Sequence, residues 1–256
     1  MSPLAGRRGL AGEERRERGT SDRAPEEQGG VIKGPQARRS EAEAIDTAFD
    51  AALAGAPVRM LRSDGAEIAL AVQRWRGDAA GDDAWLLDRC TGPVLDLGCG
   101  PGRLVAALAR RGIRALGVDA SAAAVAQCRA RGAAVVRRDV FGALPAAGRW
   151  QHVLLADGNI GIGGDPARLL RRAAALLAPG GTLLVETDPD PGARWSGTAR
   201  VHTPDGAGMP LPWAVVGAAV LREVAAGLGL RMSATAAGPR SFAELHVEPG
   251  TGGEEV

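Results

Sequence analysis

The chain has 256 residues, of which 45% are apolar, and this is enough for one main domain with an appendage. Its 31 basic and 30 acidic residues leave a formal net charge of +1, so no overall field would draw it to nucleic acid or to an anionic membrane. The three cysteines form no C-x-x-C pair, which argues against a disulfide framework or a structural zinc site, and no apolar run reaches the ~20 residues of a membrane-spanning helix. These features favour a reduced, cytoplasmic protein with a small-molecule partner and no bound metal.

The first 91 residues divide into two segments of different composition. Residues 1–43 are rich in Gly, Pro, Arg and Glu and nearly free of large apolar side chains, so we expect a disordered tail. From residue 44 the pattern changes: "AIDTAFDAALA" has helical spacing, "VRMLRSDGAEIAL" predicts a hairpin, and "DDAWLLDRC" predicts a short helix. Residues 44–91 are therefore interpreted as an N-terminal addition to the main domain.

From residue 92, predicted strands and helices alternate. The strands are "PVLDLG", "RALGVD", "AVVRRDV", "QHVLLAD" and "TLLVETD". Two of the helices between them have N-cap residues, Ser121 and Asp165, and the helix "DPARLLRRAAALLAPGG" is expected to run to its Pro-Gly-Gly stop. Strands that lack polar alternation and are separated by helices indicate a parallel sheet covered on both faces. The prediction is a doubly wound α/β domain that binds its ligand at the carboxyl ends of the strands.

The last third of the chain adds an insertion and two more strands. Residues 191–213 are rich in glycine and proline, contain a possible hairpin, and should overhang the ligand edge of the sheet. A helix, "AVVGAAVLREVAAGLGL", and two extended runs, "RMSATAAG" and "SFAELHV", then complete a mostly parallel, seven-stranded sheet in a domain of residues 92–248. Residues 249–256 are expected to be disordered.

A glycine-rich turn follows the first strand of this domain. Gly98, Gly100 and Gly102 lack Cβ atoms, so a ligand can approach the main chain closely and meet its amide hydrogens. Asp119 ends the second strand nineteen residues after Gly100, a spacing at which a carboxylate can accept hydrogen bonds from both hydroxyls of a ribose. The turn and the acid together predict a nucleoside-binding edge.

Two residues distinguish between the nucleotide-binding families that share this geometry. Arg103 stands where the dinucleotide-binding G-x-G-x-x-G turn has its last glycine, and the sequence has no Gly-Lys-Ser/Thr of a P-loop. Asp96 lies inside the first strand, where its carboxylate would repel a pyrophosphate but would suit an ammonium group. The residues therefore favour a ligand that carries a ribose and a cationic amine.

The motifs "VLDLGCGPGRL", "ALGVDAS", "VVRRDV" and "LLAPGGTLLVE", in this order over residues 92–188, resemble those of the class I S-adenosylmethionine-dependent methyltransferases. The resemblance implies a Rossmann-like fold, S-adenosyl-L-methionine as the cofactor, and methyl transfer to a small molecule by in-line displacement. It also implies ten cofactor-binding residues by motif position: Asp96 and Gly98 by the methionine amino group, Gly100 and Gly102 toward the nucleoside, Asp119 and Ala120 at the ribose, Asp139 and Val140 at the adenine, and Asp157 and Asn159 by the methyl-donor centre.

The acceptor side carries weaker signals. The strand-four loop "ADGNIGIGGDP" departs from the Asn/Asp-Pro-Pro-Tyr/Phe signature of enzymes that methylate base amines or glutamine amides, which argues against such substrates. His202, in the insertion, is the candidate general base because histidine titrates near neutral pH, and Trp195 and Trp213 are candidates for the wall of an acceptor pocket. Two alternatives stay open: a methyltransferase-like module that binds without turnover, and a NAD-dependent oxidoreductase.

Overall fold

The computed structural model describes residues 47–247, so the tail expected over residues 1–43 and the C-terminus expected over residues 249–256 lie outside the described residues. Within residues 47–247, the helices are α1 (Asp50–Leu53), α2 (Val72–Arg76), α3 (Asp83–Leu87), α4 (Arg103–Arg110), α5 (Ala122–Ala130), α6 (Pro166–Ala174) and α7 (Ala218–Ala226). The strands are β1 (Arg59–Arg62), β2 (Glu67–Ile68), β3 (Val94–Leu97), β4 (Ala115–Asp119), β5 (Val135–Arg137), β6 (Trp150–Leu155), β7 (Leu177–Thr187), β8 (Arg194–Thr203), β9 (Gly206–Ala207), β10 (Leu211–Val216), β11 (Leu230–Ala236) and β12 (Ser241–Val247). No helix in this part of the chain is long and apolar enough to cross a membrane.

The larger sheet has seven strands in the order β11-β12-β7-β6-β3-β4-β5. Its strands run parallel except β12, which is antiparallel to both of its neighbours, β7 and β11. All four residues of β3 are buried, as expected for a central strand that is covered on both faces. The predicted doubly wound, mostly parallel, seven-stranded sheet is therefore confirmed.

Two of the helices that cover this sheet begin at the N-cap residues that the sequence predicted. The Ser121 hydroxyl accepts the N–H of Ala124, and the Asp165 carboxylate accepts the N–H of Arg168, both at 2.9 Å. On one face of the sheet, Leu95 and Leu97 pack in a core with residues of α6 and α7, and on the other face Val94 packs in a core with residues of α3 and α4. Because side chains alternate along a strand, Asp96 lies on the same face as Val94.

Two predicted helix boundaries are wrong. Helix α6 ends at Ala174, and the Pro-Gly-Gly segment belongs to β7, where pairing with β6 shifts register and Gly180 has φ +75°. Residues 214–216 were expected to open the last helix, but they complete β10 by pairing with residues 194–196, and α7 starts at Ala218. In both places pairing with a neighbouring strand overrides the local pattern.

A second sheet lies outside the α/β core and is built from two distant segments. It follows the order β10-β8-β1-β2, with β9 on β8, and its pairings are antiparallel. The predicted early hairpin is confirmed as β1 and β2, and the predicted insertion contains the long hairpin of β8 and β10. This sheet encloses a core around Met60, Val201 and Trp213, which also includes Ile162 of the strand-four loop.

Candidate active site

The turn between β3 and α4 contains three glycines, and only one of them has room beside it for a side chain. Gly98, Gly100 and Gly102 all have positive φ values, of +74°, +53° and +80°, which favour glycine. A Cβ atom on Gly98 would lie 2.7 Å from Asn159 Nδ2, and one on Gly102 would lie 2.3 Å from Cys128 Sγ, whereas one on Gly100 would meet no atom within 4 Å. Close packing therefore explains why glycine is needed at positions 98 and 102. Gly100 is the glycine of this turn that faces open space.

Asp119, at the end of β4, is bonded directly to this turn. Its Oδ2 accepts the N–H of Gly100 at 2.8 Å, and its Oδ1 accepts the N–H of Ser121 at 2.9 Å. Burial raises the pKa of Asp119, while the backbone hydrogen bonds oppose that shift. Each carboxylate oxygen retains a further lone pair for a hydroxyl donor. Ala120 lies beside it, and its carbonyl accepts the Arg137 Nε at 2.8 Å.

Asp96 is a buried acid beneath the turn. It is 2% exposed, and burial raises its pKa to about 7, although the nearby Arg103 charge opposes the shift. Among the described residues, its Oδ1 has no hydrogen-bond partner. A buried acceptor without a partner is costly, so this oxygen is suited to a donor supplied by a ligand.

The end of β5 presents one exposed and one buried residue. Asp139 is exposed, and its Oδ1 accepts the N–H of Phe141 at 2.9 Å. Val140 is 6% exposed and packs in the main core. The acid is thus fixed by a local turn at the carboxyl edge of the sheet, in the position from which the motif is implied to read adenine.

The strand-four loop is residues 156–166, which follow β6, the fourth of the strands predicted from the sequence. Contacts with the glycine turn hold this loop in place. Asp157 follows β6 with φ +54°, a left-handed conformation that a non-glycine residue seldom adopts. Asn159 donates from Nδ2 to the carbonyls of Leu97 and Gly98, at 2.9 and 2.8 Å. Residues 159–164 form two short 3₁₀ turns separated by a kink at Ile162 and Gly163, and Ile160 is buried. Asn159 therefore links the loop to the turn. Because its Nδ2 group donates to these two carbonyls, that group is not free to donate to a ligand.

Sequence reasoning missed a group of five ionised side chains at this edge of the sheet, of which four are buried and one, Asp157, is partly exposed. We call it the ion-pair ring, and its members are Asp83, Arg103, Asp157, Glu186 and Arg240. They come from α3, α4, the strand-four loop, β7 and the turn between β11 and β12. Three of them carry a signal in the sequence: Arg103 follows the glycine turn, Asp157 is implied by its motif position, and Glu186 lies near the end of a mostly apolar strand.

The contacts of the ion-pair ring form a closed circuit. Arg103 Nη2 lies 2.7 Å from Asp157 Oδ2 and 3.1 Å from Asp83 Oδ1. Arg240 donates to Asp83 at 2.6 Å and to both oxygens of Glu186 at 2.8 and 2.7 Å. Glu186 Oε2 closes the circuit by accepting the backbone N–H of Asp157 at 2.6 Å. The unusual backbone conformation of Asp157 is thus held from two sides, by Arg103 at its side chain and by Glu186 at its backbone.

Arg74, on α2, joins the ion-pair ring from outside. Its Nε and Nη2 lie 3.0 and 2.8 Å from Asp157 Oδ1, and its Nη2 lies 3.4 Å from Glu186 Oε1. Its side chain is 33% exposed, whereas those of Arg103 and Arg240 are 3% and 7% exposed. Arg74 is therefore the guanidinium of this group that a soluble molecule can reach.

Aromatic side chains line the neighbouring surface. Phe49 makes edge contacts with Trp75 and Trp213, with ring centroids 5.9 and 5.8 Å apart. Trp213 also contacts the strand-four loop, since a Cβ atom on Gly161 would lie 2.6 Å from its Nε1. Trp195 lies further out, beneath the Arg62 guanidinium. Trp213 is thus the insertion tryptophan that contacts the strand-four loop.

His202 lies on β8, paired with Arg59 and Ala207. Its neighbours Ala199 and Val201 are buried in the core that includes Ile162 of the strand-four loop. Because side chains alternate along a strand, His202 lies on the opposite face of the sheet from Val201. Its assignment as the general base stays a prediction, and this placement does not favour it. Within residues 47–247, no cluster of three potential metal ligands is found.

Comparisons with known proteins agree with this architecture. Residues 94–181 match a family model described as a methyltransferase domain. The curated trans-aconitate 2-methyltransferase of Paracidovorax citrulli is 38% identical over 97 residues, which are 36% of this chain and 37% of that protein. The match thus spans little more than a third of the relative's length.

Two solved structures are similar over most of this chain. A SAM-dependent methyltransferase from Bacteroides fragilis, in complex with S-adenosyl-L-homocysteine, is 22% identical with a TM-score of 0.66 and covers 82% of this chain and 96% of its own. The CcbJ methyltransferase from Streptomyces caelestis is 18% identical with a TM-score of 0.54 and covers 80% of this chain and 98% of its own. The molecule has the Rossmann-like fold of the class I methyltransferases.

Proposed function

We propose that the protein transfers a methyl group from S-adenosyl-L-methionine to a small-molecule acceptor by in-line displacement. The observation that carries the proposal is the hydrogen bond between Gly100 N–H and Asp119 at the carboxyl edge of the sheet. It joins Gly100, the glycine of this turn that faces open space, to the acid whose position suits a ribose. The methyltransferase fold and the family match of residues 94–181 support the same cofactor.

The side chains present at this edge fit that cofactor. Asp119, with Ala120 beside it, would bind the ribose hydroxyls, and Asp139 with Val140 would read the adenine edge. The unpartnered Asp96 Oδ1 suits the ammonium group of the methionine moiety. When bound, the cofactor supplies an electrophilic methyl group on a sulfonium. What remains for the protein is to orient the acceptor and exclude water.

The strand-four loop performs the orienting task in this proposal. Asn159 fixes the loop to the glycine turn, and the ion-pair ring fixes Asp157 at the end of β6. Gly98 lies between them, where its missing Cβ lets Asn159 approach. The methyl-donor centre would therefore be surrounded by backbone that has few alternative conformations, which favours an aligned displacement.

A small acceptor and a cytoplasmic location complete the proposal. The partial relative is named for action on trans-aconitate, a small molecule. The near-neutral charge of the chain offers no general attraction for nucleic acid. Cys90, Cys99 and Cys128 are free and buried, which is consistent with a reducing compartment.

Calorimetric titration with S-adenosylhomocysteine, sinefungin and NADH tests the function. We expect the first two to bind and NADH not to bind. Asp119→Ala should weaken S-adenosylhomocysteine binding by about 1–3 kcal/mol, because hydrogen bonds to the ribose are lost. The matched control is Asp205→Ala, in the exposed turn between β8 and β9, which should leave the affinity unchanged. Binding of NADH alone, or an unchanged affinity in folded Asp119→Ala, would contradict the proposal.

Turnover is a separate measurement. Release of S-adenosylhomocysteine from labelled S-adenosylmethionine in the presence of a bacterial metabolite extract should depend on the protein. Cofactor binding with no release under any condition would instead identify a binding module without turnover.

A further inference from the structure

A cleft of about 580 Å³ opens between the segment that follows α1 and the segment that leads into α2. It is lined by residues 55–58 and 70–74. Among these, only Gln73 and Arg74 have polar side chains, and the others are glycine, alanine, proline, valine and leucine. Its lining therefore suits a small molecule with an apolar body and one polar end.

Arg74 connects this cleft to the methyl-donor side of the sheet. It lines the cleft, and its guanidinium also contacts Asp157 and Glu186 at the ends of β6 and β7. Asp157 keeps Arg103 as a second partner at 2.7 Å, and Glu186 keeps Arg240 at 2.7 Å. Arg74 can thus turn donors toward a ligand without leaving either carboxylate unpaired.

The Arg74 guanidinium favours a molecule with an anionic end in this cleft. Its side chain is 33% exposed, and both carboxylates that it contacts keep a second arginine that is more deeply buried. A guanidinium group can donate two parallel hydrogen bonds to one carboxylate, which fixes the orientation of the ligand as well as its charge.

We propose that the acceptor is a small carboxylic acid, bound in the cleft of residues 55–58 and 70–74 with its carboxylate on Arg74, and that the product is its methyl ester. This inference rests on the proposed methyltransferase function. A carboxylate is already ionised at neutral pH, so the reaction needs no general base. The ion-pair ring and the cleft contain no histidine, which agrees with such a substrate.

The bond changes are balanced without any further reactant. A carboxylate oxygen forms the O–CH₃ bond with its lone pair, and the electron pair of the S–CH₃ bond passes to sulfur, which becomes a neutral thioether. No proton moves. One positive and one negative charge are replaced by two neutral groups, a change that a site of low dielectric constant favours.

The chemical class of the product can be tested before the acceptor is identified. The full chain is incubated with S-adenosylmethionine that carries a CD₃ group and with a bacterial metabolite extract, and the products are then treated with mild alkali. A methyl ester releases the label as CD₃OH, whereas methyl groups on amines, thioethers, ethers and carbon keep it. We expect alkali-labile label. Alkali-stable label, or no label while S-adenosylhomocysteine still binds, would overturn the inference. Alkali-stable label would leave methyl transfer itself established.

The role of Arg74 is tested with Arg74→Met and Arg74→Lys. Arg74→Met should fold, because both carboxylates that it leaves retain another arginine. It should lower the formation of alkali-labile label by about tenfold or more, since hydrogen bonds to a charged group are lost, with partial recovery in Arg74→Lys. The S-adenosylhomocysteine affinity, measured by calorimetry, should change by less than about threefold. The control is Arg222→Met, on the exposed surface of α7. Undiminished label in Arg74→Met, or an equal loss of S-adenosylhomocysteine affinity, would contradict Arg74 as the specificity-determining residue.

Discussion

Arg240 holds Glu186 through two hydrogen bonds of 2.8 and 2.7 Å, and the side chains of both residues are more than nine-tenths buried. Burial works to lower the pKa of Arg240, but the hydrogen bonds and charges of Glu186 and Asp83 outweigh it and raise that pKa. Through Glu186, the turn between the last two strands reaches the backbone of Asp157. The turn between β11 and β12 therefore helps to fix the position of Asp157 in the candidate active site.

The first prediction concerns this buried pair. Arg240→Met should lower the free energy of unfolding by about 3–5 kcal/mol, because Glu186 and Asp83 lose their shortest guanidinium contacts and the interior keeps one negative charge more than the remaining arginines, Arg74 and Arg103, balance. Urea denaturation measures the change. Arg194→Met, which breaks the exposed pair of Arg194 with Glu223, should cost less than about 1 kcal/mol. Similar losses for the two variants would show that the ion-pair ring is not buried as described.

The second prediction concerns the pH dependence of stability through Asp96. Its folded-state pKa, about 7, lies above the ordinary value of 3.8, so the folded protein binds more protons than the unfolded chain between these values. The stability present below pH 3.8 is therefore lost as the pH rises toward 7. Relative to Asp96→Asn, the wild type should lose on the order of 2–4 kcal/mol between pH 4 and pH 8.

The comparison with Asp96→Asn isolates this carboxyl from other titrating groups. Unfolding free energies of both proteins are measured in urea at pH 4, 6 and 8. If the difference in unfolding free energy between the two proteins stays constant over this range, the pKa of Asp96 is not raised in the folded state and the prediction is wrong.

The third prediction separates two glycines of the same turn. Gly102→Ala places a Cβ atom 2.3 Å from Cys128 Sγ at a φ of +80°, so it should destabilise the protein by about 1–3 kcal/mol. Gly100→Ala faces open space at a φ of +53°, so its cost in stability should be about 1 kcal/mol. Its added methyl group should instead obstruct the nucleoside. Melting temperatures and S-adenosylhomocysteine affinities of the two variants are compared, and equal ligand affinities would count against Gly100 as the contact residue.

The fourth prediction concerns His202. Because it lies on the sheet face opposite Val201, and because an ionised acceptor needs no base, His202→Gln should change the rate of methyl transfer by less than about threefold. The pH profile of the rate should also be unchanged. A large loss of rate that follows the titration of a histidine would restore His202 as the general base.

The sequence predicted those features that depend on local patterns. Ser121 and Asp165 were recognised as helix N-caps because a single side chain and its own helix make the contact. Asp119 and Gly100 were recognised from their register in a βαβ unit, and the structure brings them within a hydrogen bond. The parallel direction of the central strands followed in the same way from the alternation of strands and helices.

Features that depend on distant pairing were not predictable from these patterns. Helix α2 is five residues long and has no side-chain cap, so neither its existence nor the direction of Arg74 carries a local signal. Arg240 meets Asp83 across 157 positions of the chain. The ten cofactor positions from the resemblance remain predictions, to be tested by the ligand titrations described above.

The antiparallel sheet pairs residues 59–62 with residues 199–202, which lie on opposite sides of residues 94–181 in the sequence. Exchange of acceptor specificity between homologues would therefore require both segments to be transplanted together. A chimera that replaced only the insertion would lose the strand-to-strand register with the early hairpin and expose an unpaired edge. Residues 59–62 and 199–202 are thus one structural unit that is built from two separate stretches of the chain.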